Sequence, residues 1–251
     1  MGELKIAVVG VGATGAVLAA ALLSRDPETL LVDPRPGLGD ELRENGITVS
    51  GELSYHSPVR NFFQQISDLK GREPNIIFVS TKTFHLASII DALKGVFKPG
   101  MKIISTHNGL GPEDVIADAF GADAAFRMSL NFGVSLKGPS EVATAFFNRP
   151  NHLGALVSGN NALGVQIAEW LTGGGLDTQC VDDIKLYVWK KMIMKCTMAS
   201  ICAVTDKTIK EALDFAPTRE IAEGCFREVL SVAKAMGYDL GEDYLKTALA
   251  Y

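Results

Sequence analysis

Three glycines near the N-terminus, Gly10, Gly12 and Gly15, constrain what this chain can fold into. The hydrophobic, β-branched run at residues 5–9 predicts a buried strand, and the alanine- and leucine-rich run at 16–23 predicts a helix. In such a strand–turn–helix unit, the first glycine allows the tight turn and the second lets a pyrophosphate approach the backbone. The third lets the helix pack closely on the strand. The spacing therefore favours a dinucleotide-binding unit over a structural glycine turn of some other α/β protein.

The residues around this turn supply the other parts of such a site. Ala13 and Thr14 lie at the start of the helix, where free backbone N–H groups and a partial positive charge attract phosphates. A second predicted strand ends at Asp33, the expected position of a carboxylate that accepts a hydrogen bond from the adenosine ribose. Asp33 favours NADH because it repels a 2′-phosphate, whereas Arg35 could instead bind the 2′-phosphate of NADPH.

The charge of the chain and the spacing of its cysteines and histidines indicate which partners, compartment and metal sites to expect. The chain has 251 residues and a net charge of −5, which gives no reason to expect nucleic acid or an anionic membrane as a partner. No apolar run in the sequence is long enough to span a bilayer. The four cysteines form no C-x-x-C pair and the four histidines have no metal-ligand spacing. We therefore predict reduced thiols, a cytoplasmic protein and no metal site, and the sequence leaves open whether the chain forms a homodimer.

Alternating strands and helices predict an α/β fold with a Rossmann-type, doubly wound parallel sheet. Further strands are predicted at residues 74–80, 101–106 and 178–181, and helices at 38–45, 84–97, 113–120 and 163–171. Residues 47–59 are predicted to be a strand pair or a loop. The β-like runs at 128–136 and 153–158 are predicted to lie on the far side of the same sheet.

Predicted strands stop and helices begin near residue 182. The sequence therefore predicts a dinucleotide-binding domain at 1–182 and an all-α substrate and catalytic domain at 183–251. Helices are predicted at 183–204, at 218–236 and from 242 onward. The last of these has no cap or stop signal before Tyr251, so we expect this helical domain to be truncated and the natural protein to continue.

Two polar residues follow neighbouring predicted strands, at the edge of the sheet where ligands bind. Lys82 follows strand 74–80 and could hold a ribose hydroxyl or a substrate carboxylate, while Asn108 follows strand 101–106 and could orient the nicotinamide ribose. Each also has a plainer explanation. Lys82 could be a solvated surface lysine, and Asn108 a turn residue that tolerates positive φ.

Lys191 and Lys195 lie one turn apart on an otherwise apolar stripe of the long predicted helix. The other members of the stripe are Ile184, Val188, Met198 and Cys202. Like charges at this spacing destabilise a helix by a few tenths of a kcal/mol. The pair therefore indicates an anion site facing the nucleotide crevice, or else side chains that run along apolar surface with their ammonium groups in water.

Together these residues resemble the ketopantoate reductase (2-dehydropantoate 2-reductase) family. The matching stretches keep their order over nearly the whole chain, and they are the glycine loop, Ser80-Thr81-Lys82-Thr83, Asn108-Gly109-Leu110-Gly111 and residues 189–196 (WKKMIMKC). The resemblance implies a Rossmann domain and a helical domain, with catalysis in the cleft between them. It also implies NADPH-dependent reduction of a 2-oxo acid to a 2-hydroxy acid in the pantothenate route to coenzyme A.

The resemblance also implies roles for single residues. Lys191 corresponds by position to the catalytic lysine, and Lys82 and Asn108 to cleft residues beside the cofactor. Lys195 and Ala199 stand where the family usually has asparagines that contact the polar end of the substrate. A lysine at 195 predicts a different or more anionic oxo acid than 2-dehydropantoate. The family's serine and glutamate in later helices have no counterpart in this sequence.

Two other functions stay open on the residues alone. An opine- or 3-hydroxyacid-type dehydrogenase would have the same two-domain plan. A non-catalytic dinucleotide sensor would use the Rossmann domain only to bind. Turnover of NADPH or NADH with 2-oxo acids separates the enzymes from the sensor.

Overall fold

The computed structural model describes residues 4–241, 243 and 244. The chain divides into two compact units, residues 1–184 and residues 185–251. Within the described residues, every strand belongs to the first unit, while the second unit is helical. The predicted fold class, a Rossmann-type sheet followed by helices, is confirmed.

The described residues form twelve strands. These are β1 (Ile6–Val9), β2 (Leu30–Val32), β3 (Ile47–Gly51), β4 (Tyr55–Ser57), β5 (Asn61–Phe63), β6 (Ile76–Val79), β7 (Lys102–Ser105), β8 (Ala125–Ser129), β9 (Phe132–Leu136), β10 (Glu141–Phe147), β11 (Asn151–Ala155) and β12 (Thr178–Cys180). Eight of them form the main sheet, in the order β12-β11-β8-β7-β6-β1-β2-β5. All neighbours in it are parallel except β8 and β11, which are antiparallel.

The main sheet is hydrophobic through its centre. Every residue of β1, β6 and β7 is buried, as expected for parallel strands that are covered on both faces. In register, Ile6 lies opposite Ile76, and Ile76 lies opposite Lys102. The carboxyl ends of these strands therefore lie side by side along one edge of the sheet.

A second sheet has the strand order β4-β3-β10-β9. The prediction that residues 128–136 lie wholly on the far side of the main sheet is wrong for β9, which pairs with β10 in this second sheet. β10 and β5 are not predicted from the sequence. β10 pairs with β3, so that Glu141 lies opposite Thr48, and the periodicity of a single segment cannot identify so distant a partner.

Five α-helices accompany these sheets. They are α1 (Ala13–Leu23), α2 (Leu38–Asn45), α3 (Leu86–Lys94), α4 (Pro112–Phe120) and α5 (Asn161–Gly173). The helix predicted at 84–97 is shorter in the structure, because residues 83–85 form a 3₁₀ turn and Gly95 ends α3.

Helix α1 lies between the two sheets. It contacts β1 of the main sheet and all four strands of the second sheet. Every residue from Gly15 to Leu23 is buried, so this stretch has no polar face. The Ser57 hydroxyl in β4 donates a hydrogen bond of 2.9 Å to the carbonyl oxygen of Ala20, which ties the second sheet to the helix. Coverage on both sides explains why the sequence of α1 is hydrophobic all round.

The second unit contains α6 (Ile184–Thr205), α7 (Ile209–Asp214) and α8 (Ala216–Ala235). α6 and α8 correspond to the predicted helices at 183–204 and 218–236, whereas α7 is not predicted. Thr208 caps α7: its backbone N–H donates to the Glu211 carboxylate, and its hydroxyl oxygen accepts from the Glu211 N–H. The helix predicted from residue 242 lies outside the described residues, apart from residues 243 and 244.

No helix in the described part of the chain combines the length and the apolar character that crossing a membrane requires.

Replacing Ala19, Ala20 or Ala21 by glutamate should each prevent folding or lower the free energy of unfolding by several kcal/mol, since all three residues are fully buried. An ordinary amphipathic helix would tolerate at least one of three consecutive substitutions. The matched control is Ala87→Glu on the exposed side of α3, which should change that free energy by less than about 0.5 kcal/mol. Urea unfolding followed by circular dichroism provides the measurement. A tolerant position among the three would show that α1 has a solvent-facing side.

Candidate active site

A crevice of about 750 Å³ lies in the first unit, at the carboxyl ends of β1, β2, β6 and β7. Its wall contains seven of the residues singled out from the sequence, namely Gly10, Gly12, Ala13, Thr14, Asp33, Lys82 and Asn108. Gly15 is outside the lining and packs against Gly10 instead. The structure thus brings the predicted residues of the first unit together, while what each of them binds stays a prediction.

The three glycines differ in what a side chain would meet. Gly10 has φ +93°, and a Cβ there would lie 2.9 Å from the backbone nitrogen of Thr81. A Cβ on Gly15 would lie 1.9 Å from the carbonyl oxygen of Gly10, whereas one on Gly12 would meet nothing within 4 Å. The turn itself therefore requires Gly10 and Gly15, and Gly12 leaves open space over the backbone.

That open space adjoins the start of α1. Gly12 is the N-cap residue, and its carbonyl oxygen accepts a hydrogen bond of 2.7 Å from the N–H of Ala16. A glycine has no side chain that could cap the N–H groups of the first turn. These groups and the helix dipole are suited to bind an anion.

Asp33 and Arg35 form a fixed pair in the same crevice. The Asp33 carboxylate accepts hydrogen bonds from Arg35 Nε (2.8 Å) and Nη2 (3.0 Å) and from the backbone N–H groups of Val11 (2.8 Å) and Arg35 (3.1 Å). Burial alone would raise the pKa of Asp33, but these hydrogen bonds outweigh it and hold the pKa below its usual value. The Arg35 side chain is 43% exposed, so one side of the pair faces solvent.

The loops that carry Lys82 and Asn108 are linked by hydrogen bonds between hydroxyl and imidazole groups. Ser80 Oγ lies 2.8 Å from Thr106 Oγ1, and Thr81 Oγ1 lies 3.3 Å from His107 Nε2. Lys82 and Asn108 are themselves exposed on the crevice wall. The links hold the ends of β6 and β7 in a defined arrangement.

Sequence reasoning missed the polar groups behind this wall. His107 lines the crevice but is 4% exposed, and it is connected through Ser105 to a buried ion pair of Arg127 and Glu113. Burial, together with the charge of Arg127, lowers the pKa of His107 to about 4. One signal was present in the sequence: Arg127 lies between the apolar residues Phe126 and Met128, and a charge buried there needs a partner.

The two candidate lysines belong to the second unit. Both lie on α6, one turn apart, with Lys191 half-buried and Lys195 exposed. Desolvation lowers the pKa of the Lys195 ammonium group. On the same helix Ile184, Val188 and Met198 are buried, which agrees with the apolar stripe.

Among the residues that the structure describes, no three His, Cys, Asp or Glu side chains are grouped so that they could bind a metal ion.

Comparison with known proteins gives matches to both units. The family model described as "Ketopantoate reductase PanE/ApbA" matches residues 6–158, and "Ketopantoate reductase PanE/ApbA C terminal" matches residues 183–250. A 2-dehydropantoate 2-reductase of Streptococcus pyogenes is 24% identical over 236 residues, which cover 94% of this chain and 76% of that protein. The enzyme of Lactococcus lactis is also 24% identical, over 92% of this chain and 74% of its own length.

Solved structures share the fold. The 2-dehydropantoate 2-reductase of Geobacter metallireducens has a TM-score of 0.86 and 22% identity, with 98% of this chain and 81% of that chain covered. D-mandelate dehydrogenase, solved with NADH and anilino(oxo)acetate, has a TM-score of 0.84 and 21% identity, with coverages of 98% and 78%. Because the two family models match most of the sequence in order, this chain belongs to the ketopantoate reductase family.

Proposed function

We propose that this protein uses NADPH or NADH to reduce a 2-oxo acid to a 2-hydroxy acid, with 2-dehydropantoate as the first candidate substrate and pantoate as its product. The observation that carries the proposal is the match of both models of one reductase family, in order, to residues 6–158 and 183–250. The reaction would belong to pantothenate biosynthesis in the cytoplasm.

The crevice residues fit a dinucleotide. The space over Gly12 and the N–H groups of Ala13 and Thr14 suit the pyrophosphate, since an anion there meets no side chain and faces the positive end of α1. Lys82 and Asn108, on the same wall, would hold the nicotinamide ribose and the polar end of the substrate. These assignments combine the crevice geometry with the family resemblance.

Asp33 and Arg35 bear on the choice of cofactor. Asp33 can accept from the 2′-hydroxyl of NADH, although its oxygens already accept hydrogen bonds from Arg35 and Val11. Arg35, half-exposed on the other side of the pair, offers a positive charge to the 2′-phosphate of NADPH. The pair therefore supports use of both cofactors.

A nicotinamide cofactor held in the crevice would supply the hydride that C2 of the oxo acid accepts. Lys191 acts as the general acid, and its Nζ donates a proton to the carbonyl oxygen as negative charge develops there. Lys195 binds the anionic end of the substrate, in keeping with the extra positive charge that it adds one turn along α6. Asn108 orients the reacting groups by hydrogen bonds.

Lys195 also favours a second candidate within the same reaction class. Where the family usually has an asparagine, a lysine would suit an oxo acid with a more anionic polar end. D-mandelate dehydrogenase, which shares the fold, was solved with NADH and anilino(oxo)acetate. Other 2-oxo acids therefore belong in the test.

The function is tested by following NADPH and NADH absorbance with a panel of 2-oxo acids that includes 2-dehydropantoate and dicarboxylic oxo acids. We expect turnover of at least one 2-oxo acid, with the 2-hydroxy acid as product. Lys195→Asn should shift the relative kcat/KM toward 2-dehydropantoate. Tight cofactor binding without turnover of any oxo acid would favour the sensor and contradict the proposal.

Gly12→Ala should leave the free energy of unfolding within about 0.5 kcal/mol of wild type, because its Cβ meets nothing within 4 Å. It should weaken cofactor binding about tenfold or more, because the new methyl group occupies the space proposed for the pyrophosphate. Gly15→Ala is the comparison: it should destabilise the fold severely through its clash with the Gly10 carbonyl. Unfolding curves and cofactor fluorescence titration measure both. Unchanged cofactor affinity in a folded Gly12→Ala protein would rule out this position for the pyrophosphate.

Lys191→Ala should lower kcat by roughly 10²–10⁴, the usual contribution of a positioned acid, while cofactor affinity stays nearly constant. Lys190→Ala removes an ammonium group from the neighbouring position on α6 and serves as the control, with kcat within about threefold of wild type. A rise in KM at constant kcat would instead show that Lys191 only anchors the substrate.

A further inference from the structure

A buried ion pair stands behind the crevice wall. Arg127 in β8 is 2% exposed and Glu113 in the first turn of α4 is 1% exposed, and Arg127 Nη1 lies 3.1 Å from Glu113 Oε2. Removing two charges from water costs about as much as their attraction returns, so such a pair is weak evidence of stabilisation. Arg127 Nε is also buried without a hydrogen-bond partner among the described residues, which adds to the cost. The pair calls for an explanation other than stability.

The guanidinium group of Arg127 is linked to both neighbours of Asn108, to one directly and to the other through Ser105. Its Nη2 donates 3.0 Å to the carbonyl oxygen of Gly109, the residue after Asn108. Its Nη1 donates a hydrogen bond of 3.1 Å to Ser105 Oγ. Ser105 Oγ in turn lies 3.0 Å from Nδ1 of His107, the residue before Asn108. Asn108 itself is exposed, so its position depends on these flanking contacts.

The backbone of this loop is permissive by itself. Gly109 and Gly111 have φ of +95° and +94°, and a Cβ on either would meet nothing within 4 Å. Glycine populates many conformations at little cost, so a loop of this composition needs contacts from outside to hold one of them. The hydrogen bond from Arg127 to the Gly109 carbonyl is such a contact.

The connection continues to the neighbouring loop. His107 Nε2 lies 3.3 Å from Thr81 Oγ1, directly before Lys82. Because an arginine can only donate, Ser105 Oγ accepts from Arg127 and its own hydrogen is available for His107 Nδ1. We assign the neutral His107 tautomer with its proton on Nε2, which then donates to Thr81. Each hydrogen bond in the series Arg127–Ser105–His107–Thr81 thereby has one donor and one acceptor.

We propose that Arg127, paired with Glu113, is a positioning residue for the reduction: it fixes the loop that carries Asn108 and, through Ser105 and His107, the loop that carries Lys82. The inference rests on the proposed function, in which Asn108 and Lys82 contact cofactor and substrate. Glu113 holds the guanidinium in place and balances its charge.

The test removes the whole pair, so that no single buried charge is left. In Glu113→Gln/Arg127→Met, kcat/KM for the oxo acid should fall about 10²-fold, the usual effect of misplacing reacting groups by about 1 Å. The control is Asp123→Asn/Lys102→Met, an ion pair at the other end of β7 in which Lys102 is buried and the Asp123 side chain is exposed. Lys102 Nζ also donates a hydrogen bond of 3.0 Å to the backbone carbonyl of Asp123. This variant should keep kcat/KM within about twofold, whatever change it makes to the melting temperature.

Two milder variants separate geometry from charge. Arg127→Lys keeps the charge but cannot reach Glu113, Ser105 and Gly109 together, so its kcat/KM should lie between those of wild type and the double variant. Ser105→Ala removes the hydroxyl group that joins Arg127 to His107, while it leaves the hydrogen bonds of Arg127 to Glu113 and Gly109, and it should lower kcat/KM by about tenfold. If kcat/KM follows the melting temperature across the set, control included, the pair is merely structural and the inference fails.

A readout independent of turnover separates this inference from the proposed function. Charged groups on the elements around His107 include Arg127 from β8, Glu113 from α4 and Lys82 after β6. Burial and Arg127 keep the pKa of His107 near 4, so imidazole NMR should show it neutral at pH 6. In the double variant the pKa of His107 should rise because the charge of Arg127 is gone, although burial still holds it below its ordinary value, and the Asn108 side-chain amide resonance should move. If wild type reduces no oxo acid, the proposed function fails. If the His107 pKa and the Asn108 resonance both stay unchanged in the double variant, the positioning role of Arg127 is wrong, whether or not the wild type turns over an oxo acid.

Discussion

The close approach of Gly15 to the carbonyl oxygen of Gly10 determines where helix α1 can begin, and the rest of the first unit is arranged around that helix. A Cβ on Gly15 would lie 1.9 Å from this oxygen, so no other residue allows the helix to start directly against the turn. The start of α1 then borders the crevice. Its remaining length is covered by the main sheet on one side and the second sheet on the other.

Two pairs of charged groups near the crevice hold each other in specific positions. Asp33 and Arg35 form a pair at the end of β2, and Arg127 and Glu113 form a buried pair behind the loop after β7. In a medium of low polarity each hydrogen bond to a charged group is strengthened, while an unpaired group would be costly. The crevice is thus bordered by groups whose arrangement is difficult to change one at a time.

Much of this arrangement could be predicted because its signals are local. The strand and helix about the glycine loop, the buried strands at β6 and β7, and the presence of Lys82 and Asn108 at one sheet edge follow from short-range patterns. The second sheet could not be predicted, because β10 pairs with β3, a strand that is far from it in the sequence. Arg127 and Glu113 are only 14 residues apart, but the pattern of β8 does not show which residue of α4 faces it, so their pairing was missed. An arginine between the apolar residues Phe126 and Met128 does indicate that some partner exists. The roles of Lys191 and Lys195 come from family resemblance and stay predictions.

Because α1 lies between two sheets, it cannot complete its packing when it is synthesised. Helix α1 leaves the ribosome before β10, but the second sheet is complete only when β10, which ends at Phe147, has paired with β3. Until then an alanine- and leucine-rich helix has one uncovered apolar side, the kind of surface that chaperones bind and that leads to aggregation. The packing of α1 is therefore completed only after a strand that is synthesised on the order of a hundred residues later has joined its sheet.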